Sequence, residues 1–371
     1  MGSLYTVIYL IFFFFGMSAF SLLINSILLR FVKTLGTKNQ PGAIVRWSEQ
    51  TKPAIGGLTF FIIFFMTLSV YSVLFNSNDV FNSRMLIGLM AAATLAFVMG
   101  LTDDAYNTRP ILKFLVQIIC GVILLQADSG ISFFENKTLN DLLTIIWVVG
   151  IMNSINMLDN MDGIATSVSA FVVVGALGYI VMKGDITSVN FFLLVGILAS
   201  LTGFLFFNWN PSSMYMGDTG SQFLGVILAY IGIHYCWNAE SVSGVTGNGI
   251  GIAALLTVFA LPIIDTTIVT INRLRKGQSP FVGGKDHSTH HLSYHGYSDR
   301  QVGIIFCVLS SIFVTAYLFL IYFLNNDNAM VILGIYFVSF LIVFVRLFVI
   351  TEKNARKKRD QIPADQMEKV L

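Results

Sequence analysis

The sequence predicts an all-α, polytopic integral membrane protein with about eleven transmembrane helices, its N-terminus outside and its C-terminus cytoplasmic. Three observations carry that reading. Of 371 residues, 55% are apolar and only 11% charged, less than half of the roughly 25% charge that solvates an average soluble domain. The apolar residues, 33 phenylalanines among them, fall in continuous runs, and a bilayer is crossed by about 20 such residues at ~1.5 Å rise each. Lysine and arginine, finally, crowd into alternate connections between the runs. The same composition excludes other classes. Three cysteines cannot staple a secreted scaffold, a net charge of +2 gives no footing to a soluble nucleic-acid binder, and so apolar a chain is not disordered.

The first run, 4–30, lacks a basic leader and exceeds the ~7–15 apolar residues of a signal peptide, so it is read as a span. The others lie at 56–75, 84–101, 111–127, 139–157, 164–182, 190–207, 221–237, 249–271, 302–323 and 328–350. They are continuous rather than alternating, which in lipid means helices. Residues 1–350 then form a single multi-span domain with cytoplasmic loops, and 351–371 a basic cytoplasmic tail lying against anionic lipid. With the N-terminus outside, eighteen cationic side chains fall in the inner segments (Lys52, Arg109, Lys113, Arg273 and Lys285 among them), and only Arg84, Lys137 and Lys183 fall outside. Cys120, Cys236 and Cys307 lie within runs, where buried packing is their ordinary role. The myristoylation-like start at Met1-Gly2 is read as chance, and the Asn136-Lys137-Thr138 sequon matters only in a eukaryotic secretory membrane.

Orientation sorts the acidic residues. Asp103 and Asp104 follow the third run, Asp159 and Asp162 the fifth, Asp218 the seventh, and Asp286 lies between the ninth and tenth. All six fall on the cytoplasmic face, in short loops rich in Asn and Gly. Asp103-Asp104 reads equally as an N-cap for the next helix or as a ligand pair. Asn153, Asn156, Asp159 and Asp162 place a carboxylate or amide at every third residue, a stripe from which several groups can reach one ligand, or else a polar helix end with an Asp-Gly turn. In Met216-Gly217-Asp218-Thr219-Gly220-Ser221, a glycine-flanked Asp opens a helix, where free N–H groups suit phosphate or hydrated Mg²⁺.

Lys285-Asp286-His287-Ser288-Thr289-His290-His291 gathers three of the five histidines. Zinc is one reading of three imidazoles. With no cysteine nearby, donation to phosphate oxygens suits them better. His234 stands alone in an apolar run as a structural histidine. Asp265, inside the ninth run, is either a functional carboxylate or the partner of Arg273 or Arg275. Together these are the parts for phosphoryl transfer, in which the protein positions groups and neutralises charge. No Walker A sequence supports ATP-driven transport.

Taken in order, Thr51-Lys52-Pro53-Ala54-Ile55-Gly56-Gly57, Asp103-Asp104, Asn153 to Gly163, Gly217 to Ser221 and His287 to His291 match a known family. From about 50 to 300 the chain resembles the polyprenyl-phosphate N-acetylhexosamine-1-phosphate transferases, glycosyltransferase family 4. The resemblance implies that a polyprenyl phosphate, undecaprenyl phosphate in bacteria, attacks the β-phosphate of a UDP-N-acetylhexosamine, releasing UMP. It implies Mg²⁺, with Mn²⁺ able to substitute, on Asp218 and Asn156. Lys113 would contact the pyrophosphate, and Asp103 and Asp104 would position or deprotonate the lipid phosphate. Lys52 and Asn153 would bind substrate, Asp162 and Asp159 would do so at the uridine, and His287, His290 and His291 would hold the transferring phosphates.

The partners implied are membrane lipid and the two substrates, with no nucleic acid, and many members are homodimers. The place implied is the inner (cytoplasmic) membrane, at the first membrane step of a cell-envelope glycan. Bacterial GlcNAc-type relatives usually read His-x-His-His, and only His290-His291 aligns here without a gap. The phospho-MurNAc-pentapeptide transferases carry three consecutive histidines. That difference, the eleventh run and the stretch Lys276 to Pro280 favour the GlcNAc branch over the peptidoglycan one. A cation-coupled transporter, the alternative of another class, would place its carboxylates near the midplane, where only Asp265 lies.

Overall fold

The protein was analysed as a computed structural model, which describes residues 3–35, 52–75, 79–279, 284–325 and 327–360. Helices dominate: α1 (Ser3–Leu35), α2 (Gly57–Leu74), the short α3 (Asp79–Asn82), α4 (Arg84–Tyr106), α5 (Pro110–Gln126), α6 (Lys137–Leu158), α7 (Ile164–Lys183) and α8 (Val189–Asn208). There follow α9 (Gly217–Gly232), continued by a π-helical turn over Ile233–Trp237, then α10 (Asn248–Val258), α11 (Ala260–Arg275), α12 (Ser288–Tyr294), α13 (Asp299–Phe323) and α14 (Ala329–Asp360). Among the described residues the only β-pairing is an isolated parallel bridge between Ala54 and Tyr215.

Each of the eleven apolar runs coincides with a helix or a helix pair. Among the described residues, eight helices are long and apolar enough to cross a membrane, and α10 with α11 would make a ninth. The remaining two runs are α5, at 17 residues, and α9 with its π-helical extension. The run 249–271, expected as one span, is two helices bent by 79°. Pro262 supplies the reason: it has no N–H for the carbonyl of Val258, four residues back, where α10 ends. The helix begun at Ala329 continues to Asp360, ten residues past the expected end of the last span. Of the expected basic tail, 361–371 lies outside the described residues, as do the loop cations Lys38 and Arg46 and the N-terminal Met1-Gly2.

Local chemistry sets several boundaries. Ser83, Asn136 and Ser188 accept from the N–H three residues on, at 3.2–3.3 Å, and so cap α4, α6 and α8. Pro110 opens α5, where a missing N–H costs nothing.

The architecture is a bundle around α9, which is buried at every residue from Thr219 to Gly232. Lipid supplies no hydrophobic drive between helices, so close approach depends on small residues. A Cβ on Gly100 of α4 would collide with the backbone of Asp218 and Thr219, and one on Gly57 of α2 with the backbone of Gly220. On α9 itself, a Cβ on Gly225 would stand 2.6 Å from the Cα of Met152 in α6. Three helices thus meet α9 backbone to backbone, and two of these contacts lie at its first turn, where Asp218 is. The opposite extreme is α14, with 6% of its most apolar stretch buried against 67% in α8. Exposed apolar side chains such as Phe12, Val73 and Met330 fit a surface that faces lipid.

Candidate active site

The first turn of α9 organises the site. Gly217 has φ +73°, a left-handed conformation open to glycine, and a Cβ there would stand 2.6 Å from Oδ2 of Asp104. Asp104, at the end of α4, uses that closeness. Its two oxygens accept from the N–H groups of Asp218 and Thr219, both at 2.9 Å, and from the Thr219 hydroxyl at 2.6 Å. The carboxylate therefore caps the positive end of α9 from a different helix. Its neighbour Asp103 accepts from the N–H and hydroxyl of Thr108, at 2.8 and 2.5 Å, just before α5 begins. Each member of the adjacent pair thus secures the entry of a different helix, one local and one distant.

Lys113, one turn into α5, joins what remains. Its ammonium lies 2.8 Å from Asp218 Oδ1, 3.1 Å from Asp103 Oδ2 and 3.4 Å from Asn156 Oδ1. Asn156 of α6 donates through Nδ2 to Asp218 and, at 2.8 Å, to the Ser221 hydroxyl. Four helices contribute to this cluster, and its charged side chains keep 11–23% exposure, open to a ligand. The three oxygens converge on a cation, here the ammonium of Lys113. Hard oxygen donors of this kind suit Mg²⁺, so the residues expected to hold a metal fit one. Deeper in the bundle, Asn153 exchanges hydrogen bonds with Gln117, at 2.7 and 3.3 Å, and Gln117 donates to Gln222 at 3.0 Å.

The every-third-residue stripe does not converge on a single point. Asn153 and Asn156 face α5 and α9, and Asn160, beside the stripe rather than in it, accepts from the Thr289 hydroxyl of α12 at 2.6 Å. Asp162 turns to the loop before α9, accepting from Ser212 N–H at 2.9 Å, its hydroxyl at 2.7 Å and Asn210 at 3.1 Å. Lys52 completes this second network, 3.4 Å from Asp162 and 2.9 Å from the Ser212 hydroxyl. The reason is that α6 ends at Leu158, after which helical spacing no longer governs where side chains point. Asp159 sits half-buried as the C-cap of that helix.

The histidines form a third group. His287 precedes α12 and His290 and His291 lie in its first turn, all three buried, with the rings of His287 and His290 5.4 Å apart. Burial, with His287 beside it, pushes His290 down to about 3, so that its ring is neutral at physiological pH. Asp265 corrects the sequence reading: its partner is neither Arg273 nor Arg275 but His287, whose Nδ1 lies 2.8 Å from Oδ2. Arg273 instead forms a bidentate pair with Asp286 at 2.9 and 2.7 Å, and Arg275 reaches Glu352 at 2.8 Å. Against the upward push of burial, Arg273 holds the Asp286 carboxyl below its ordinary range. The zinc reading finds no support, since among the described residues no three of His, Cys, Asp and Glu are placed to hold a metal. His234 fits its structural reading, buried against Tyr230 and 3.2 Å from the Ser129 hydroxyl.

Thr108, Gln117, Thr219, Ser212 and Gln222 were not singled out from sequence. Only the two glutamines carried a signal there, as amides stranded within apolar runs.

Comparison with known proteins adds an independent finding. The family model described as "Glycosyl transferase family 4" matches residues 86–235, the stretch that holds Asp103, Asp104, Lys113, Asn156 and Asp218. The probable undecaprenyl-phosphate N-acetylglucosaminyl 1-phosphate transferase of Bacillus subtilis is 27% identical, over 88% of this chain and 87% of that protein. The decaprenyl-phosphate N-acetylglucosaminephosphotransferase of Mycobacterium leprae is 26% identical, over 76% of each. A phospho-N-acetylmuramoyl-pentapeptide-transferase of Staphylococcus saprophyticus reaches 34%, over 49% of this chain and 61% of its own.

Proposed function

We propose that the chain is a member of glycosyl transferase family 4, whose model matches residues 86–235, and that it transfers N-acetylglucosamine 1-phosphate from UDP-N-acetylglucosamine to undecaprenyl phosphate. A lipid phosphate oxygen attacks the β-phosphorus, the bond from that phosphorus to the bridging oxygen breaks, and UMP leaves. The product is the polyprenyl-pyrophosphate sugar. The observation that carries this reading is the convergence of Asp103, Asn156 and Asp218 on a cation at the first turn of α9. The match to the Bacillus subtilis transferase along 88% of the chain supports the N-acetylglucosamine branch.

Phosphoryl transfer asks a protein mainly for position and neutralised charge, and the site supplies both. Lys113 is the cation within reach of the pyrophosphate, held in place by two carboxylates. Asp104 holds the α9 entry rigid, which keeps Asp218 at a fixed height. Asp218 and Asn156 would hold Mg²⁺, whose charge, when it is bound, offsets that of the pyrophosphate. A phosphate monoester is largely dianionic at neutral pH, with its second pKa near 6, so Asp103 serves better to position Lys113 than to remove a proton. The neutral His290 suits hydrogen bonding to a phosphate oxygen. The lysine and arginine bias supports a cytoplasmic position for this face, in keeping with a place in the cytoplasmic membrane.

The test is UMP release by detergent-purified protein given undecaprenyl phosphate, UDP-N-acetylglucosamine and Mg²⁺. Release should require lipid and metal together and fall about 10³-fold in Asp218→Asn while the protein still folds. Release with UDP-N-acetylmuramoyl-pentapeptide instead would move the chain to the peptidoglycan branch. No release with any UDP-N-acetylhexosamine, from folded protein, would overturn the reading.

A further inference from the structure

Asp265 has no part in the transfer as derived so far, yet it is the most deeply buried carboxylate near the site, 1% exposed within α11. Both of its oxygens are engaged. Oδ2 lies 2.8 Å from Nδ1 of His287, and Oδ1 accepts from the N–H of Ser288 at 2.8 Å and from its hydroxyl at 2.5 Å. Eight residues further along α11, about 12 Å at helical rise, Arg273 grips Asp286 in a two-point pair. A single helix therefore clamps Asp286, His287 and Ser288, the residues from which α12 springs.

His287, His290 and His291 stand at positions i, i+3 and i+4, the spacing that sets side chains on one helical face. The orientation of that face is inherited from the clamp. A carboxylate at Nδ1 accepts that nitrogen's proton and leaves Nε2 as the nitrogen that can meet a ligand, which it does as a donor only when it too carries a proton.

We propose that Asp265 is a positioning residue for the transfer reaction, fixing the rotation of His287 and accepting its Nδ1 proton so that a protonated Nε2, set between this carboxylate and the phosphates of the substrates, donates to a phosphate oxygen. The bend at Phe259 matters for the same reason, because it aims α11, and with it Asp265, at the start of α12. This inference rests on the transfer reaction proposed above. A carboxylate that merely capped α12 through Ser288 would act on stability and leave the ring nitrogens alone.

The experiment has two independent readouts. In the wild-type protein, ¹⁵N shifts of histidine side chains, with His287 assigned by its loss in His287→Gln, should show Nδ1 protonated. A bare Nδ1 overturns the proposal, whatever the enzyme turns over. For kinetics, Asp265→Asn and His287→Gln should each lower kcat about 10- to 100-fold, the range for removing a partner that orients a histidine. KM for the UDP-sugar should stay within about threefold, because the loss falls on the transition state.

The double variant should be no worse than either single one, and Ser288→Ala, which leaves the His287 contact in place, should keep most of the activity. Multiplying losses in the double variant would overturn the proposal, as would an Asp265→Asn enzyme as fast as wild type. Should Asp265→Asn not fold, the wild-type nitrogen shifts and the kcat of His287→Gln still decide the matter. A wild-type protein that releases no UMP defeats the reaction itself, while the nitrogen shifts report separately on Asp265.

Discussion

Lys113 reaches Asn156 across 43 residues of sequence and Asp218 across 105, whereas Arg273, Asp286, Asp265 and His287 meet across 13 to 22. The carboxylate side of the site is assembled by four helices that approach one another through glycines. The histidine side hangs on one helix and the loop that follows it. The electrostatics differ as well. On the first side, the charged groups are partly exposed, and each lies beside a counter-charge or a helix terminus. On the second, burial leaves His290 neutral, and its ring is a source of hydrogen bonds rather than of charge. The comparison teaches that a charged ligand site inside a bundle must bring its own compensation. A neutral ring such as that of His290 can simply be packed.

The sharpest way to break this comparison is Asp218→Asn, described above, which should remove nearly all turnover yet leave the fold, because neighbouring partners remain. Lys113→Met comes next. With the ammonium gone, Asp103 and Asp218 face each other uncompensated, and a pair of charges at ~3 Å is worth several kcal/mol even at an effective dielectric of about 20. Mn²⁺ affinity, read by electron paramagnetic resonance, should therefore rise about tenfold or more, while UMP release falls about 100-fold. Weaker Mn²⁺ binding in that variant would show that Lys113 does not stand where a metal ion competes.

Asp104→Ala strips the cap from α9 and should cost about 2–3 kcal/mol in resistance to unfolding, since three hydrogen bonds to a carboxylate are lost. Unchanged stability would mean that α9 is held by its glycine contacts alone. The smallest effect belongs to the histidine side. Because the folded-state value of His290 is depressed, the unfolded chain binds the extra proton first as pH falls below ~6.5. Its contribution is complete at pH 7 and is lost as the pH drops toward 3. Between pH 7 and 5 the loss should be about 2 kcal/mol, seen as a falling midpoint of thermal unfolding. That slope should flatten in His290→Gln.

The helices were legible because lipid forces apolar residues into runs about as long as the bilayer is thick, and all eleven runs coincide with helices. The candidate residues were legible partly as chemistry and partly, for Lys113 and the ligand role of Asn156, through the family resemblance. Asp103, Lys113, Asn156 and Asp218 were named from sequence, and they lie in one hydrogen-bonded cluster. Their roles relative to one another were not legible. Nothing in Asp103-Asp104 says that two adjacent carboxylates secure different helices, and nothing in the Asn153 to Asp162 spacing says that the stripe breaks at Leu158. The partner of Asp265 was misjudged for a related reason. Arg273 lies two turns along the same helix, and proximity in sequence hid a histidine on the next element.

What the sequence determined by itself was the helical class, the approximate place of each helix and the inventory of candidate side chains, because composition, run length and residue chemistry are local properties. Which carboxylate meets which cation, where the ninth run bends and which nitrogen of His287 is engaged were decided only in three dimensions. Those depend on how closely Gly57, Gly100 and Gly225 let backbones approach α9, and on where α11 points after the break before Pro262. Such distances are set by packing between segments far apart in the chain, and no local pattern records them.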